Sequence, residues 1–292
     1  MKPLQFDAPT SLDDAIRVLS AEGAQAAALS GGTDLIVQMR SGRRELGHMV
    51  DIKKIPELTV LEYDPSQGLR LGAAVPCVDL AEADVVVKHY PALAEGAELI
   101  GGTQIQSRAT VGGNMCNASP AADSVCGLIV ADAVCVVQGP NGRREIPAEE
   151  FMVGPGRNAL QPGELLVEFR LPPPAPRSSS GYLRFIPRNE MDIAVASAGA
   201  RITLGEDGRT CTDAKIAIGA VGPRPLVVPD AARSLVGTTL DEPALENAAQ
   251  ASAAAAQPIT DIRGTEEYRR HMAGVLTKRA VTMALTRAKE SR

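Results

Sequence analysis

Residues 110–124, TVGGNMCNASPAADS, decide how this 292-residue chain is read. The stretch opens on Thr110, a β-branched residue that reads as a strand end, and runs through Gly112-Gly113 and Asn114 to Asp123. An adjacent glycine pair lets the backbone take positive φ and leaves no Cβ to hold a ligand away. The N–H groups of such a loop can converge on an anion, as they do in nests and at helix N-termini. Far upstream, residues 28–35, ALSGGTDL, have the same make-up: a short apolar strand, a glycine pair, then polar residues. Two loops of this kind, side by side, fit the two ends of a pyrophosphate. Neither is a Rossmann fingerprint, because no G-x-G-x-x-G opens a helix with an acidic residue about 20 positions on. No G-x-x-x-x-G-K-[ST] phosphate loop occurs either.

Composition narrows the class. A hydrophobic content of 45% and a charged content of 22% are those of a globular protein with room for two or three cores. The net charge of -5 gives no electrostatic footprint for nucleic acid or an anionic membrane, and with 3% aromatics and no Trp there are no stacking platforms for bases. The N-terminal residues carry no apolar core of a signal peptide, and no run of 18 apolar residues occurs, so the expectation is a cytoplasmic protein without a membrane span. Five cysteines (77, 116, 126, 135 and 211) are scattered and odd in number, which fits a reducing compartment. None has C-x-x-C spacing, so no metal or iron–sulfur centre is assigned to this chain. Cys116 reads as a small buried residue beside a ligand loop.

In chain order, Ser11 to Asp14 read as a capping box that opens a helix with Leu12, Ala15, Ile16 and Leu19 on one face, closed by Gly23. Residues 26–29 read as a buried strand. Thr33 or Asp34 then caps a helix over 35–40, with the Asp34 carboxylate taken as the cap and the loop backbone as the ligand contact. Residues 49–52 read as a strand, 58–62 and 69–71 as a hairpin around Asp64-Pro65-Ser66-Gln67-Gly68, and 78–83 and 91–99 as helices. Gln104, Gln106 and Arg108 alternate with Ile105 and Ser107, the pattern of a strand leading into the central motif. A short helix over 123–131, an Asn141-Gly142 hairpin and a strand over 164–171 follow. The run 172–180, PPPAPRSSS, reads as a surface connection. Beyond it come strands over 182–186, 193–204 and 212–218, then helices over 230–235, 242–255 and 266–288. The last helix places Tyr268, Met272, Val275, Leu276, Arg279 and Met283 on one side, to pack on the small sheet.

The two glycine motifs, in their order and separation, resemble the flavoprotein (medium) subunit of molybdenum hydroxylases. That group includes carbon monoxide dehydrogenase, bacterial xanthine dehydrogenase and 4-hydroxybenzoyl-CoA reductase. The resemblance runs nearly the full length. It implies an α+β chain: a two-subdomain FAD-binding fold of the PCMH/vanillyl-alcohol-oxidase type, over 1–55 and 56–174, and a C-terminal α+β domain over 178–290 with a small antiparallel sheet and helices.

It further implies FAD as cofactor, extended between the first two domains with its ring near the third. By motif position, Ala28, Leu29, Ser30, Gly31, Gly32, Thr33, Asp34 and Leu35, with Thr110, Val111, Gly112, Gly113 and Asn114, wrap the pyrophosphate. Asp123 accepts from ribose or ribityl hydroxyls, although it also suits the N-cap of the following helix. Ile100 and Leu166 are apolar contacts, Arg184 matches a basic position in the first strand of the third domain, and Ile193 falls where a side chain approaches the flavin ring. No acid, base or nucleophile is implied, and His48, His89 and His271 lie outside every motif. The implied partners are a small [2Fe–2S] subunit and a large molybdopterin subunit, in a dimer of heterotrimers. NAD+, a quinone or another acceptor takes the electrons.

Two departures refine this. Thr33-Asp34 follow the first glycine pair where carbon monoxide dehydrogenase members carry His-Ser, which favours a heterocycle or aromatic hydroxylase of the xanthine dehydrogenase type. The cysteine loop of the 4-hydroxybenzoyl-CoA reductases has no counterpart here. The competing readings are a free-standing FAD-dependent oxidoreductase of the cell-wall precursor reductase type, an assembly subunit without flavin, and a plain nucleotide-binding module.

Overall fold

A computed structural model describes residues 3–189 and 191–291. At the N-terminal end, β1 (Gln5–Asp7), α1 (Leu12–Glu22), β2 (Ala26–Leu29), α2 (Leu35–Arg40) and β3 (His48–Asp51) form a three-stranded parallel sheet in the order β1-β3-β2. Half of the capping box forms: Ser11 Oγ accepts from the Asp14 N–H, while the Asp14 carboxylate accepts from the Ser11 hydroxyl instead of its backbone N–H, and Gly23, at φ 53, ends the helix. Helix α1 buries Leu12, Ala15, Ile16 and Leu19 against one face of the sheet, and Met39 of α2 joins Ala27, Leu29 and Met49 on the other.

The second unit is built on a five-stranded antiparallel sheet, β4 (Leu61–Asp64), β5 (Gly68–Gly72), β6 (Val134–Gly139), β7 (Gly142–Pro147) and β10 (Leu165–Leu171), in the order β4-β5-β10-β6-β7. Both expected hairpins are present: β4 pairs with β5 and β6 with β7. Between β5 and β6 lie α3 (Cys77–Glu82), α4 (Asp84–His89), α5 (Pro91–Glu98), α6 (Thr103–Gln106), α7 (Val111–Asn117) and α8 (Asp123–Val130). After β7 come α9 (Ala148–Phe151) and a small hairpin of β8 (Met152–Gly154) and β9 (Arg157–Asn158). Helix α4 has no counterpart in the sequence reading. The strand expected before the motif is the one-turn helix α6: a five-residue alternation is too short to separate periods of 2 and 3.6.

The third unit is a four-stranded antiparallel sheet, β11 (Ser178–Phe185), β12 (Ala196–Leu204), β13 (Cys211–Gly219) and β14 (Leu226–Val227), in sequence order. Helices α10 (Pro229–Leu235), α11 (Glu242–Ala255) and α12 (Glu266–Glu290) follow. The serines read as linker belong to β11. Ser178 and Ser180 are buried, with Ser178 bonded to Thr203 and Ser180 Oγ accepting from the Ala92 N–H. Helix α12 packs on the sheet as expected, but through Met272, Leu276, Ala273, Ala280 and Ala284, while Tyr268 is half-exposed against Phe185.

Helix α8 joins the second and third units. All eight of its residues are buried, as a helix apolar on every side requires. Its neighbours approach through glycines. A methyl at Gly96 would stand 2.7 Å from the Asp123 carbonyl oxygen, and one at Gly199 would stand 3.2 Å from Cys126 Cβ. Outside the core, Asp132 pairs with both Arg201 and Lys215 across the same boundary.

Candidate cofactor site

A cleft of about 340 Å³ runs between the parallel sheet and the second unit, within the roughly 300–1,000 Å³ of small-molecule sites. Its walls bring together the two glycine stretches, 80 residues apart in sequence. From the first come Ala28, Ser30, Gly31, Gly32, Thr33, Asp34 and Leu35; from the second Thr110, Gly112, Gly113 and Asn114; Ile100 and Leu166 add apolar surface. Leu29 and Val111 do not line it, because each points into a core beneath its loop.

The first loop turns at Gly32, which takes φ 76. Gly31 does not take positive φ; it is required for proximity, since a methyl there would lie 2.7 Å from the Arg108 carbonyl carbon and 2.8 Å from Ala109 Cα. The N–H groups of residues 33–35 have no acceptor among the described residues and open the first turn of α2 toward the cleft. Asp34 holds the N-cap position, but its carboxylate makes no capping bond, contrary to expectation.

The second motif differs from its sequence reading. Thr110 is the N-cap of α7, with φ -130 and ψ 151, and its Oγ1 accepts from the Gly113 N–H at 2.9 Å. Gly112 and Gly113 are therefore helical, without positive φ. Two glycines in a row lower helix propensity, which hid α7 from a propensity reading. They serve proximity: a methyl at Gly112 would sit 2.7 Å from Ala73 Cβ, and Gly113 keeps a bare backbone toward the cleft. Thr110 Oγ1 also lies 2.9 Å from Ser30 Oγ, so one hydroxyl pair clasps the two loops. Lys53 Nζ donates to the Ser30 carbonyl at 3.1 Å and pairs with Asp51, which fixes the base of the first loop.

Asp123 and Arg184 meet each other away from the cleft lining. Arg184 Nη1 donates to the Asp123 carboxylate at 2.6 Å, and the Tyr182 hydroxyl donates to its other oxygen at 2.9 Å. Asp123 is the first residue of α8 and not its N-cap, which is Ala122. Burial pushes the Asp123 carboxyl up to about 6, against the downward pull of Arg184 and Tyr182. The Arg184 side chain is only 6% exposed, so the pair is a buried one that locks β11 to α8. Ile193 is half-exposed on the loop before β12.

The family model described as the FAD binding domain in molybdopterin dehydrogenase matches residues 2–174, and that of the CO dehydrogenase flavoprotein C-terminal domain matches 181–284. The chain is an FAD-binding medium subunit of the molybdenum hydroxylase family. It is 32% identical over 279 residues to the xanthine dehydrogenase FAD-binding subunit of Escherichia coli O157:H7, covering 95% of this chain and 94% of that one. With the carbon monoxide dehydrogenase medium chain of Afipia carboxidovorans it shares 34% over 291 residues, covering 99% and 100%. The structure of reconstituted CO dehydrogenase from Oligotropha carboxidovorans superposes with a TM-score of 0.93 at 32% identity, covering 98% of this chain and 99% of that chain. As in the homologous dehydrogenase subunits, the cofactor is FAD and the chemistry is oxidoreduction. Among the described residues, no helix is long and apolar enough to cross a membrane.

The cleft of this medium subunit fits FAD. Bare glycine backbone and open N–H groups suit a pyrophosphate, and Ile100, Leu160, Leu165 and Leu166 suit a flat heterocycle. Of its two carboxylates, Glu164 is taken up by Arg144 at 2.7 Å on each oxygen, which holds its pKa below the usual range. Five polar lining residues were missed by sequence reasoning: Gln38, Arg44, Asn117, Asn158 and Glu164. Gln38 lies on the six-residue helix α2 and Asn158 in a two-residue strand, and neither position carries a local signal.

Proposed function

We propose that this chain is the electron-transfer subunit of a multi-subunit molybdenum hydroxylase. Its FAD would supply the redox exchange between [2Fe–2S] clusters of a small partner and an acceptor such as NAD+ or a quinone, with substrate oxidised in a large molybdopterin subunit. The observation that carries this reading is the clasped pair of glycine loops, Ser30 against Thr110, with open backbone donors at its mouth. The chain's own work is to bind and orient. Residues 28, 30–35, 110 and 112–114 hold the pyrophosphate, with Leu29 and Val111 anchoring the two loops from the core beneath. Ile100 and Leu166 contact the cofactor's apolar surface, and Asp123 and Arg184 set the third domain against α8. Ile193 faces the ring from that domain. No side chain serves as acid, base or nucleophile.

The domains of this proposal are residues 1–55, 56–174 and 178–290, in a dimer of heterotrimers. A heterocyclic or aromatic substrate of the xanthine dehydrogenase type is favoured over carbon monoxide, on the strength of Thr33-Asp34 after the first glycine pair. A cytoplasmic location is supported by the five free thiols, four of them buried.

The test is an absorption spectrum of the purified chain, followed by denaturation and identification of the released chromophore. Bands of oxidised flavin with FAD in the supernatant support the reading. A colourless chain that takes up no added FAD refutes it. Affinity purification from the native source should then bring down an iron–sulfur chain and a molybdenum chain. A chain that purifies alone with FAD and reduces a substrate by itself refutes the partnership and supports the free-standing oxidoreductase.

A further inference from the structure

The last turn of α7 is a junction of three elements on the cleft wall. Gln38 Nε2, from α2, donates to Asn117 Oδ1 at 2.9 Å, across 79 positions of sequence. Asn158 Nδ2, from β9, donates to the Cys116 carbonyl at 2.8 Å, across 42 positions. The Gly156 N–H donates to the Ala118 carbonyl at 2.9 Å, and Asn158 Oδ1 accepts from the Leu160 N–H at 3.1 Å. A helix C-terminus leaves its final carbonyls open, and here the β8–β9 hairpin closes two of them from outside. Gln38, Cys116, Asn117 and Asn158 all line the cleft.

This arrangement fixes the direction of one amide. A side-chain amide carries an acceptor oxygen and a donor nitrogen that diverge from the same carbon. With Asn117 Oδ1 engaged by Gln38, Asn117 Nδ2 is left without an acceptor among the described residues, on a side chain that borders the cleft. We infer that Gln38 and Asn158 are positioning residues for the cofactor: they lock the last turn of α7 and hold the Asn117 amide as a donor to an acceptor oxygen of bound FAD. Neither lies in the glycine motifs, and the inference rests on the FAD reading of the cleft. It assigns α2 a second task besides presenting its first turn, because the same helix orients a donor on α7.

The experiment is a double-mutant cycle on the full-length chain. FAD is stripped, and its re-binding is followed by flavin fluorescence for wild type, Gln38→Met, Asn117→Ala and the double variant, with Asn158→Ala alongside. Thermal melting of each apo chain is the control. Because Gln38 acts through Asn117, the single variants should each weaken FAD affinity about tenfold, the size expected for one hydrogen bond. The double variant should be no weaker than Asn117→Ala. Asn158→Ala should speed FAD release by more than its loss of a few degrees in apo melting temperature accounts for. The inference is overturned if Gln38→Met binds FAD as wild type does, if the two effects multiply, or if affinity falls only in step with apo stability. A wild-type chain that binds no FAD overturns the FAD reading together with this one, whereas unchanged variants beside a binding wild type overturn this one alone.

Discussion

Replacing Gly31 with alanine tests how the two glycine loops are joined. The added methyl would stand 2.7 Å from the Arg108 carbonyl carbon and 2.8 Å from Ala109 Cα. Carbon atoms pack at roughly 3.5–4.0 Å, so the loops must separate by about 0.7–1.3 Å, and every atom in the way, the still nearer Arg108 carbonyl oxygen included, is backbone. The Ser30–Thr110 contact, now 2.9 Å, would stretch toward the limit of hydrogen bonding. Overpacking of this kind costs about 1–3 kcal/mol, and the stretched bond about 1 kcal/mol more. A loss of ~2–4 kcal/mol should lower the melting temperature by several degrees and empty the site of FAD, read as the flavin-to-protein absorbance ratio. Gly42→Ala is the control: Gly42 takes φ 74 with nothing within 4 Å of its would-be Cβ. It should lower stability through backbone strain alone and keep its FAD. If Gly31→Ala retains flavin and melts as wild type does, the close approach of residues 31 and 108 is not what forms the cleft.

Thr110→Val keeps the shape but removes the N-cap of α7 and the Ser30 contact; equilibrium denaturation should show a loss of about 1–2 kcal/mol, with weaker FAD binding. Tyr90→Phe removes the hydroxyl that donates to the Pro172 carbonyl at 2.9 Å; it should cost ~1 kcal/mol and, in limited proteolysis, quicken cleavage within residues 172–177. Asp123→Asn tests the buried pair by its pH dependence. Because burial raises the folded-state pKa from the ordinary 3.8 to about 6, the folded chain holds the proton more tightly than the unfolded one. The stability that Asp123 contributes is thus complete below about pH 4 and is lost as pH rises through 6, by ~3 kcal/mol at most. In paired denaturant titrations the advantage of wild type over Asp123→Asn should shrink from pH 4.5 to pH 7.5; an advantage that grows with pH would mean that Arg184 outweighs burial.

The parts of this fold legible in the sequence are those fixed by neighbours along the chain. Ser11 and Asp14 are three residues apart, and a hydroxyl with a carboxylate at that spacing has few other uses. Asn141-Gly142 sets a tight turn between two apolar runs, and the hairpin follows. The location of the site was legible for the same reason, as a glycine pair is visible without knowing what lies opposite.

What the glycines do was not legible. Adjacent glycines suggest positive φ, but of the four glycines in the two motifs only Gly32 takes it; Gly31 and Gly112 are bare because Arg108 and Ala73 lie against them. Only folding supplies those neighbours. The same holds for Gln38 with Asn117 and for Asp123 with Arg184, 79 and 61 positions apart. In each pair the residues are ordinary taken singly, and their partnership exists only once α2 and α7, or α8 and β11, have packed. The family resemblance named Asp123 and Arg184 as cofactor contacts by position, and it gave no sign that they bind each other. A motif marks where a ligand goes, and the long-range bonds around it decide how firmly the cradle is held. Variants at those bonds should therefore change cofactor retention while leaving the motif itself intact.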